Sequence, residues 1–275
     1  MKSLCSSLII FGCLVLSLNT GFIDRKFYEN KMLSSEPSDT LYLSKNATFP
    51  LEFPRFHDSS QVVRHLGYSL EYNENCEQAL WVAYVLTKQE TMGVIERGDY
   101  FSVDAFVKTG SATKADYVKS GFDRGHLAPA ADMRWSEKAM DESFYFSNMS
   151  PQTPSFNRGV WKRLEEKVRD WSQIYDSILV VTGPVLNAEL RKIGPNQVCV
   201  PEYYYKVILD FKKGHSKAIG FIVKNEGSQL DLQDFTVSID SIERLTGIDF
   251  YWQFKDEFES KFESNVCLKC WDWMN

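Results

Sequence analysis

Gly121-Phe122-Asp123-Arg124-Gly125-His126 is a charged cluster that ends in one of only four histidines in the chain. A stretch of small and apolar residues, Leu127 to Ala131, follows at once and would pack behind whatever the charged side chains face. The pKa of imidazole lies near neutral pH, so a histidine in this setting is suited to take a proton from water. The cluster therefore predicts a general base at His126, provided that a carboxylate or carbonyl fixes its tautomer.

The other histidines favour structural interpretations. A lone histidine is typically a satisfied core residue or a surface residue, and we interpret His57 and His65 in this way. His215 falls in a turn between two predicted strands, where a solvated loop residue is the simplest interpretation. For His126 alone, the adjacent Asp123 and Arg124 favour a catalytic role over a structural one.

A second feature begins at Asn157, where an amphipathic helix pattern starts. At about 100° per residue, Asn157 falls on the same face as Leu164 and Val168 and is expected to point inward. The apolar face of this helix comprises Val160, Trp161, Leu164, Val168 and Trp171. Asn157 is either an N-cap, which asparagine does well, or a metal ligand, because a neutral amide oxygen suits Mg²⁺. The helix geometry leaves both open.

The composition indicates one large folded domain. The chain has 275 residues, of which 44% are hydrophobic and 14% aromatic, which excludes a disordered or low-complexity protein. Its net charge of −6 weighs against holding polyanions by bulk attraction. Between Lys119 and Trp171, nine basic residues face eight acidic ones, so this segment is near neutral. Charge alone does not identify a nucleic-acid binder.

The N-terminus has the pattern of a targeting segment. Met1-Lys2 precedes an apolar run from Leu4 to Leu18, which is too short to span a bilayer comfortably. We interpret residues 1–23 as a signal peptide, with an uncleaved N-terminal anchor as the alternative. The first 24 residues contain no arginine, which argues against a mitochondrial presequence. The expected location is secreted or periplasmic, with membrane anchoring as the second option.

Residues 24–60 are polar and are interrupted by Pro37, Pro50 and Pro54, so we predict a linker or loosely docked arm. A single catalytic domain is then expected over residues 61–275. The sequence has two glycosylation sequons, at Asn46 and Asn148, and a glycan at Asn148 would block the proposed site.

Four cysteines lie outside the leader, at Cys76, Cys199, Cys267 and Cys270, and they could pair in three ways. Cys267-Leu-Lys-Cys270 resembles half of a zinc site. No second pair or histidine partner accompanies it, so a disulfide or free thiols are favoured.

Strand patterns dominate the rest of the chain. We predict strands near residues 66–72, 80–87, 177–182, 201–211, 217–223 and 235–239. A helix is expected over residues 240–246, ended by Gly247. Successive strands with few helices between them predict an α+β fold, with a mixed or antiparallel central sheet and flanking helices.

These residues together resemble the DNA/RNA non-specific endonuclease family. The resemblance rests on Asp123-Arg-Gly-His126, on Asn148, and on Asn157 before an aromatic-bearing helix. Trp81-Val-Ala-Tyr84 and Thr182-Gly-Pro184 are also similar, and the likeness runs from about Leu66 to Phe250. It implies a ββα-metal (His-Me finger) motif inserted in a larger sheet domain, with the histidine on a strand and the metal-binding asparagine on the following helix.

The resemblance also implies roles for individual residues. His126 would be the general base, Asn157 the direct ligand of Mg²⁺ or a substituting Mn²⁺, and Glu165 a holder of metal-bound water. Arg97, Arg124 and Arg169 would contact phosphate, while Asn148 and Asp123 would orient the base or substrate. DNA and RNA would be bound through phosphates and hydrolysed to 5′-phosphate ends. A homodimer is left open.

Three points stay open at this stage. Glu165 lies eight residues after Asn157, about 12 Å along a regular helix axis, so one metal could serve both only through water and long side chains. Arg97, in a turn-like segment, has an ordinary surface arginine as its structural alternative. The functional alternatives are a catalytically silent nucleic-acid-binding module of the same fold and a hydrolase of small phosphodiesters.

Overall fold

The computed structural model describes residues 50–212 and 215–274. Its main sheet has seven strands in the order β1-β2-β3-β6-β9-β10-β11. These strands are β1 (Val62–Arg64), β2 (Ser69–Asn73), β3 (Gln78–Thr87), β6 (Ser177–Pro184), β9 (Tyr203–Asp210), β10 (Lys217–Lys224) and β11 (Thr236–Val237). Every neighbouring pair is antiparallel. The predicted α+β fold with an antiparallel sheet is confirmed.

Two small ladders lie outside this sheet. One pairs β4 (Asp123–His126) with β5 (Met149–Gln152), and the other pairs β7 (Lys192–Ile193) with β8 (Val198–Cys199). The first ladder contains Asp123, Arg124 and His126 of the charged cluster.

Helices cover both faces of the sheet. They are α1 (Lys88–Thr91), α2 (Lys114–Tyr117), α3 (Glu137–Ser143), α4 (Lys162–Tyr175), α5 (Ile239–Thr246) and α6 (Asp256–Glu263). Helix α5 is capped as its sequence predicts. The Ser238 hydroxyl accepts the N–H of Ser241 at its start, and Gly247 adopts a left-handed conformation (φ 72°) at its end.

Period-two alternation along β3 divides the interior into two layers. Val82, Tyr84 and Leu86 face the layer that holds the apolar side of α4, while Trp81 and Ala83 face the layer packed by α5 and α6. Because side chains on successive strand positions point to opposite faces, the uniformly apolar β3 is buried on both sides. The two sets of helices therefore lie on opposite faces of the sheet.

The remaining strand predictions are close to the structure, with one shorter element. The strand expected at 235–239 is reduced to Thr236–Val237, because Leu232–Phe235 forms a 3₁₀ turn before it and α5 begins directly after it. Within the described residues, no helix has both the length and the apolar character needed to cross a membrane.

Several N-terminal predictions fall outside the described residues. The leader over 1–23, the sequon at Asn46 and most of the arm over 24–60 are among them. In the described part of the arm, Phe53 is buried against Trp81, and the side-chain amide of Gln253 donates to the carbonyl of Phe53. This portion is thus packed on the sheet layer of α5 and α6, and the boundary at residue 61 stays a prediction.

The four cysteines form two disulfides, Cys76–Cys199 and Cys267–Cys270. The first ties the turn before β3 to β8, across a sequence separation of 123 residues. The second closes a loop between neighbours three positions apart, so the zinc alternative for this pair is not supported.

Replacing Cys76 and Cys199 together with alanine is expected to lower the free energy of unfolding by about 3 kcal/mol more than replacing Cys267 and Cys270. A disulfide restricts the unfolded chain more when the loop it closes is longer. Urea unfolding of the two double variants, each compared with the parent chain, measures the difference. Equal losses would contradict this entropic origin.

Candidate active site

The β4–β5 ladder positions the charged cluster. Arg124 pairs with Pro151 and His126 pairs with Met149, so the histidine lies at the end of the ladder. A Cβ atom on Gly125 would come 2.1 Å from the side chain of Gln152, so only glycine allows this close approach. The predicted placement of the histidine on a strand agrees with the structure.

His126 is held by aromatic rings. Its ring lies 4.8 Å from that of Phe144, edge to face, and 5.9 Å from that of Phe101, measured between centroids. Its Nε2 atom is buried and has no hydrogen-bond partner among the described residues. The carboxylate or carbonyl expected to fix the tautomer is therefore absent at this nitrogen in the described part of the chain, and packing orients the ring instead.

Burial lowers the pKa of His126 to about 3, and the positive charges of Arg97 and Arg124 contribute in the same direction. The imidazole is thus neutral across the physiological range. A neutral imidazole retains the lone pair that a general base requires.

Two arginines flank this histidine. Arg124 shares its strand face, two positions away, and its guanidinium carbon lies 3.8 Å from the centroid of the Phe101 ring. Arg97 lies in the exposed loop before Phe101, with its guanidinium carbon 5.3 Å from the centroid of the Phe144 ring. Glu96, Arg97, Ala130, Ala131 and Arg134 line an open cavity beside this loop. Cationic groups therefore border a cavity next to the segment that follows His126.

Asn148 is fully buried and fixes the chain immediately after His126. Its Oδ1 accepts the N–H of Ala128 at 2.8 Å, and its Nδ2 donates to the carbonyls of Ala128 and Ser143 at 2.9 and 2.8 Å. Asn148 thus fixes the backbone that directly follows the strand carrying His126. With its amide nitrogen engaged twice in the interior, the residue is closed to glycosylation in the folded chain.

Replacing Asn148 with aspartate is expected to lower the free energy of unfolding by about 2–4 kcal/mol. The carboxylate has nearly the same shape but no N–H, so the carbonyls of Ala128 and Ser143 lose their donor and a charge is buried. Urea unfolding measures the loss, and Asn187→Asp on the exposed surface is the matched control. Similar stabilities of the two variants would contradict the supporting role.

Asn157 lies in the segment after β5, and its side chain is directed by Asp123. Its Nδ2 donates to Asp123 Oδ2 at 2.9 Å, while Arg158 forms two hydrogen bonds to the same carboxylate at 2.8 and 2.7 Å. Because the amide nitrogen bonds Asp123, the amide oxygen lies on the other side of the group. The helical turn already begins at Pro154, before Asn157, and the Thr153 hydroxyl accepts the N–H of Phe156 at 3.4 Å. The N-cap alternative is not supported, and the side chain is half-buried rather than fully inward.

The helix expected to run regularly from Asn157 is interrupted. Phe156–Trp161 forms a π-helical segment in which Gly159 has non-helical angles (φ −111°, ψ −110°), and the regular helix α4 begins at Lys162. Glycine lacks the Cβ atom that restricts other residues, so the break falls there. The straight-helix separation of Asn157 and Glu165 therefore does not apply to this chain.

Glu165, on the first turn of α4, belongs to a buried charge network. Burial raises its pKa, nearby Lys206 lowers it, and Asp132 raises it further. Asp132 is fully buried, accepts the hydroxyl of Tyr84 at 2.9 Å and pairs with Arg169 at 2.7 Å. Arg169 is thus held by Asp132 beside Glu165.

Lys206 and Asp132 are members of this network that we did not identify from the sequence. Lys206 is fully buried on β9, its Nζ has no hydrogen-bond partner among the described residues, and it lies 4.7 Å from the centroid of a Trp161 ring. Burial lowers its pKa, and the charges of Glu165 and Asp132 oppose that shift. A signal was present, because alternation places Lys206 on the same strand face as Tyr204 and Ile208, both core residues.

The structure connects the predicted residues in three groups. Arg97, Arg124 and His126 are associated through the rings of Phe101 and Phe144, and Asn148 supports them. Asp123 accepts a hydrogen bond from Asn157. Asp132 pairs with Arg169, and its charge raises the pKa of Glu165. The charge of Arg97 lowers the pKa of both His126 and Glu165, which links the group around His126 to the group around Asp132 electrostatically.

The other histidines have the expected structural settings. His65 is buried, with Nε2 2.9 Å from Asp104 Oδ2, and Ser147 donates to the same carboxylate oxygen. His57 is exposed, and His215 lies at the exposed end of a turn.

Comparison with known proteins places this geometry in context. Residues 49–257 match the family model described as DNA/RNA non-specific endonuclease. The chain is 36% identical over 206 residues to bovine (Bos taurus) "Endonuclease G, mitochondrial", covering 70% of this chain and 69% of the relative. It is 36% identical over 204 residues to zebrafish (Danio rerio) "Nuclease EXOG, mitochondrial", covering 68% and 60%.

The prediction of a secreted or periplasmic protein is wrong. Both relatives carry mitochondrial names and point to a mitochondrial location instead. The prediction rested on the apolar run from Leu4 to Leu18 after Met1-Lys2, and the absence of arginine from the first 24 residues was used against a mitochondrial presequence. A compositional argument of this kind, on a segment outside the described residues, has less weight than similarity over more than 200 residues.

A solved structure gives the same result at the level of the fold. The crystal structure of an EndoG/EndoGI complex superposes with a TM-score of 0.68 and 31% identity, covering 73% of this chain and 89% of that one. The family match spans both the Asp123–His126 ladder and the Asn157 segment that follows it. This chain belongs to the DNA/RNA non-specific endonuclease family.

Proposed function

We propose that this chain is a metal-dependent endonuclease that hydrolyses phosphodiester bonds in both DNA and RNA. The observation that supports this most directly is the neutral, packed His126 flanked by Arg97 and Arg124. Nucleases of the same family are its relatives, and their names favour a mitochondrial location.

His126 is the general base in this proposal. Its imidazole accepts a proton from the attacking water, and the rings of Phe101 and Phe144 restrict its orientation while this happens. The pKa of about 3 keeps the base unprotonated at neutral pH before each turnover.

The arginines supply the phosphate contacts. Arg97 is exposed and Arg124 is half-buried, so both can reach a ligand, and guanidinium groups match phosphate geometry with paired donors. Arg169 is anchored to Asp132 at 2.7 Å and retains partial exposure. Contacts to phosphate and sugar do not read bases, which is consistent with action on either nucleic acid.

The residues present fit a divalent cation. Asn157 offers an amide oxygen opposite its bond to Asp123, and Glu165 offers a half-buried carboxylate whose pKa is raised by burial. These are the hard oxygen donors that Mg²⁺, or Mn²⁺ in its place, prefers. A bound Mg²⁺ would neutralise charge on the phosphate and on the leaving 3′ oxygen, leaving 5′-phosphate ends. A homodimer stays a prediction.

Digestion of supercoiled plasmid DNA and of a folded RNA, with Mg²⁺ and with EDTA, tests the proposal. We expect internal cleavage of both substrates with Mg²⁺ and none in the chelator, and labelled ends should carry 5′-phosphates. Equal cleavage in EDTA, or tight binding to nucleic acid without cleavage, would overturn it. Turnover of a nitrophenyl phosphodiester without cleavage of DNA or RNA would reassign the substrate class.

A further inference from the structure

A second group of oxygen donors lies on the face of the sheet opposite α4. Asp240 and Glu243 are one turn apart on α5, and Glu263 is the last residue of α6. One carboxylate oxygen of each lies within 4.8 Å of the other two. Three acids from two helices therefore converge on one point.

Glu263 is the buried member of this group. The residue is 6% exposed, and its Oε1 is buried without a hydrogen-bond partner among the described residues. Burying a carboxylate without a partner is costly, and its position at the C-terminus of a helix adds the unfavourable end of the helix dipole. A carboxyl group placed in this way is stabilised either by a proton or by a bound cation.

Packing prevents Glu263 from turning away. The neighbouring Phe262 is buried against the rings of Tyr251, Phe254 and Phe258, at centroid distances of 5.8, 5.6 and 5.5 Å. Glu243 is also held, because its Oε1 accepts the N–H of Phe250 at 2.8 Å. The positions of the donors are therefore fixed by the fold.

The surroundings add negative charge. Burial, together with the charges of Glu259, Glu243, Asp240 and Asp249, raises the pKa of Glu263 to about 9. Arg55 pairs with Asp249 at 3.5 Å, and Arg244, which is exposed, donates to the hydroxyl of Ser241. The main electrostatic influences on Glu263 are thus all acidic.

The donor set selects the kind of cation. All three donors are carboxylates, which favours a hard cation over the metals that prefer histidine or cysteine. The three oxygens all lie within 4.8 Å of one another, so they can contact one ion. Ca²⁺ accepts irregular sets of carboxylates, whereas Mg²⁺ requires near-ideal octahedral geometry and usually keeps several waters, so the donor set favours Ca²⁺.

We propose that Asp240, Glu243 and Glu263 bind one Ca²⁺ ion that joins α5 to α6. The ion satisfies the buried Oε1 of Glu263 and fixes the C-terminal helix on the sheet. Its site is separated from the β4–β5 ladder by the sheet itself, because the two helix layers lie on opposite faces. The role is structural and is independent of the proposed phosphodiester cleavage.

Thermal unfolding of the full chain against CaCl₂ concentration tests the site, in metal-free buffer at pH 7.5. Saturating Ca²⁺ is expected to raise Tm by roughly 5–10 °C, because a ligand that binds only the folded state stabilises it. Glu263→Gln and Asp240→Asn should each lose most of this shift. Glu257→Gln, an exposed change of equal charge on α6, should retain it.

The comparison is made within each variant, so a change in its Ca²⁺-free stability does not affect the result. Asn157→Ala, which alters the candidate catalytic centre, should show the full shift, and this separates the two sites. No shift in the parent chain up to about 10 mM Ca²⁺ would overturn the proposal. So would equal shifts in the parent and Glu263→Gln, or an equal shift with Mg²⁺ at the same concentration.

Discussion

Replacing His126 with alanine is expected to lower kcat/KM on both DNA and RNA by about 10²–10⁴-fold, the range that general-base catalysis supplies. The imidazole is neutral and oriented by Phe101 and Phe144, and alanine retains neither the lone pair nor the ring. Initial rates on plasmid DNA and on RNA, at saturating Mg²⁺, measure the loss.

His215→Ala is the matched control. His215 lies at the exposed end of a turn, so its removal should leave rates unchanged. Circular dichroism and thermal unfolding of both variants show whether the fold is retained. A loss below about tenfold in a folded His126→Ala chain would assign the proton transfer to another group.

His126 is also expected to make the free energy of unfolding depend on pH. The pKa of His126 is about 3 in the folded chain, against an ordinary value of 6.5. The imidazole is neutral in both the folded and the unfolded chain above pH 6.5. Between pH 6.5 and 3, it takes up a proton only in the unfolded chain. Stability from this group is therefore present above pH 6.5 and is lost as pH falls, by about 1.4 kcal/mol per unit.

Urea unfolding of the parent chain and of His126→Gln between pH 7 and 4 tests this slope. Glutamine has a similar size and does not titrate, so the variant should lose less stability on acidification. Parallel curves for the two chains would contradict the buried neutral state of His126.

The strand content was accessible from the sequence because local patterns determine it. The β9–β10 hairpin follows from two runs of strand formers around a polar turn, and the structure pairs Asp210 with Lys217 at its end. Gly247 ends α5 as predicted, because a left-handed residue at that position favours glycine. These features depend on neighbours within a few positions.

The network around Glu165 was less accessible, because it depends on contacts between distant segments. Asp132, Lys206 and Tyr84 come from a 3₁₀ turn and two strands, and their common environment exists only after folding. Lys206 could have been identified as a charge on a buried strand face. The hydrogen bond between Asn157 and Asp123, 34 positions apart, had no local signal.

The break at Gly159 shows how a single residue changes a site. A regular helix would have separated Asn157 and Glu165 along its axis, whereas the π-helical segment winds the chain differently before α4 begins. π-Helical segments are frequent at functional sites, because they shift side chains relative to a regular helix. We therefore expect Gly159 to influence the spacing between Asn157 and Glu165.

Replacing Asn157 with alanine is expected to lower kcat/KM by at least about 100-fold and to raise the Mg²⁺ concentration needed for half-maximal rate. Changes to groups that only orient a metal ligand cost about 10–100-fold, so loss of the ligand itself should cost at least as much. Rates measured against Mg²⁺ concentration separate weaker metal binding from a loss at saturation.

Asp123 provides two graded comparisons for this prediction. Asp123→Asn replaces the charged acceptor that orients the Asn157 amide at 2.9 Å with a neutral amide, which weakens this hydrogen bond, and the loss should fall within the 10–100-fold range. Arg158→Ala removes the exposed ion-pair partner of Asp123 and leaves the hydrogen bond between Asn157 and Asp123 in place, so it should have little effect on the rate. The order Asn157→Ala, then Asp123→Asn, then Arg158→Ala follows from a cation held by the amide oxygen. Equal losses in Asn157→Ala and Arg158→Ala would instead mean that this segment acts through its charge pair, with the metal ligand elsewhere.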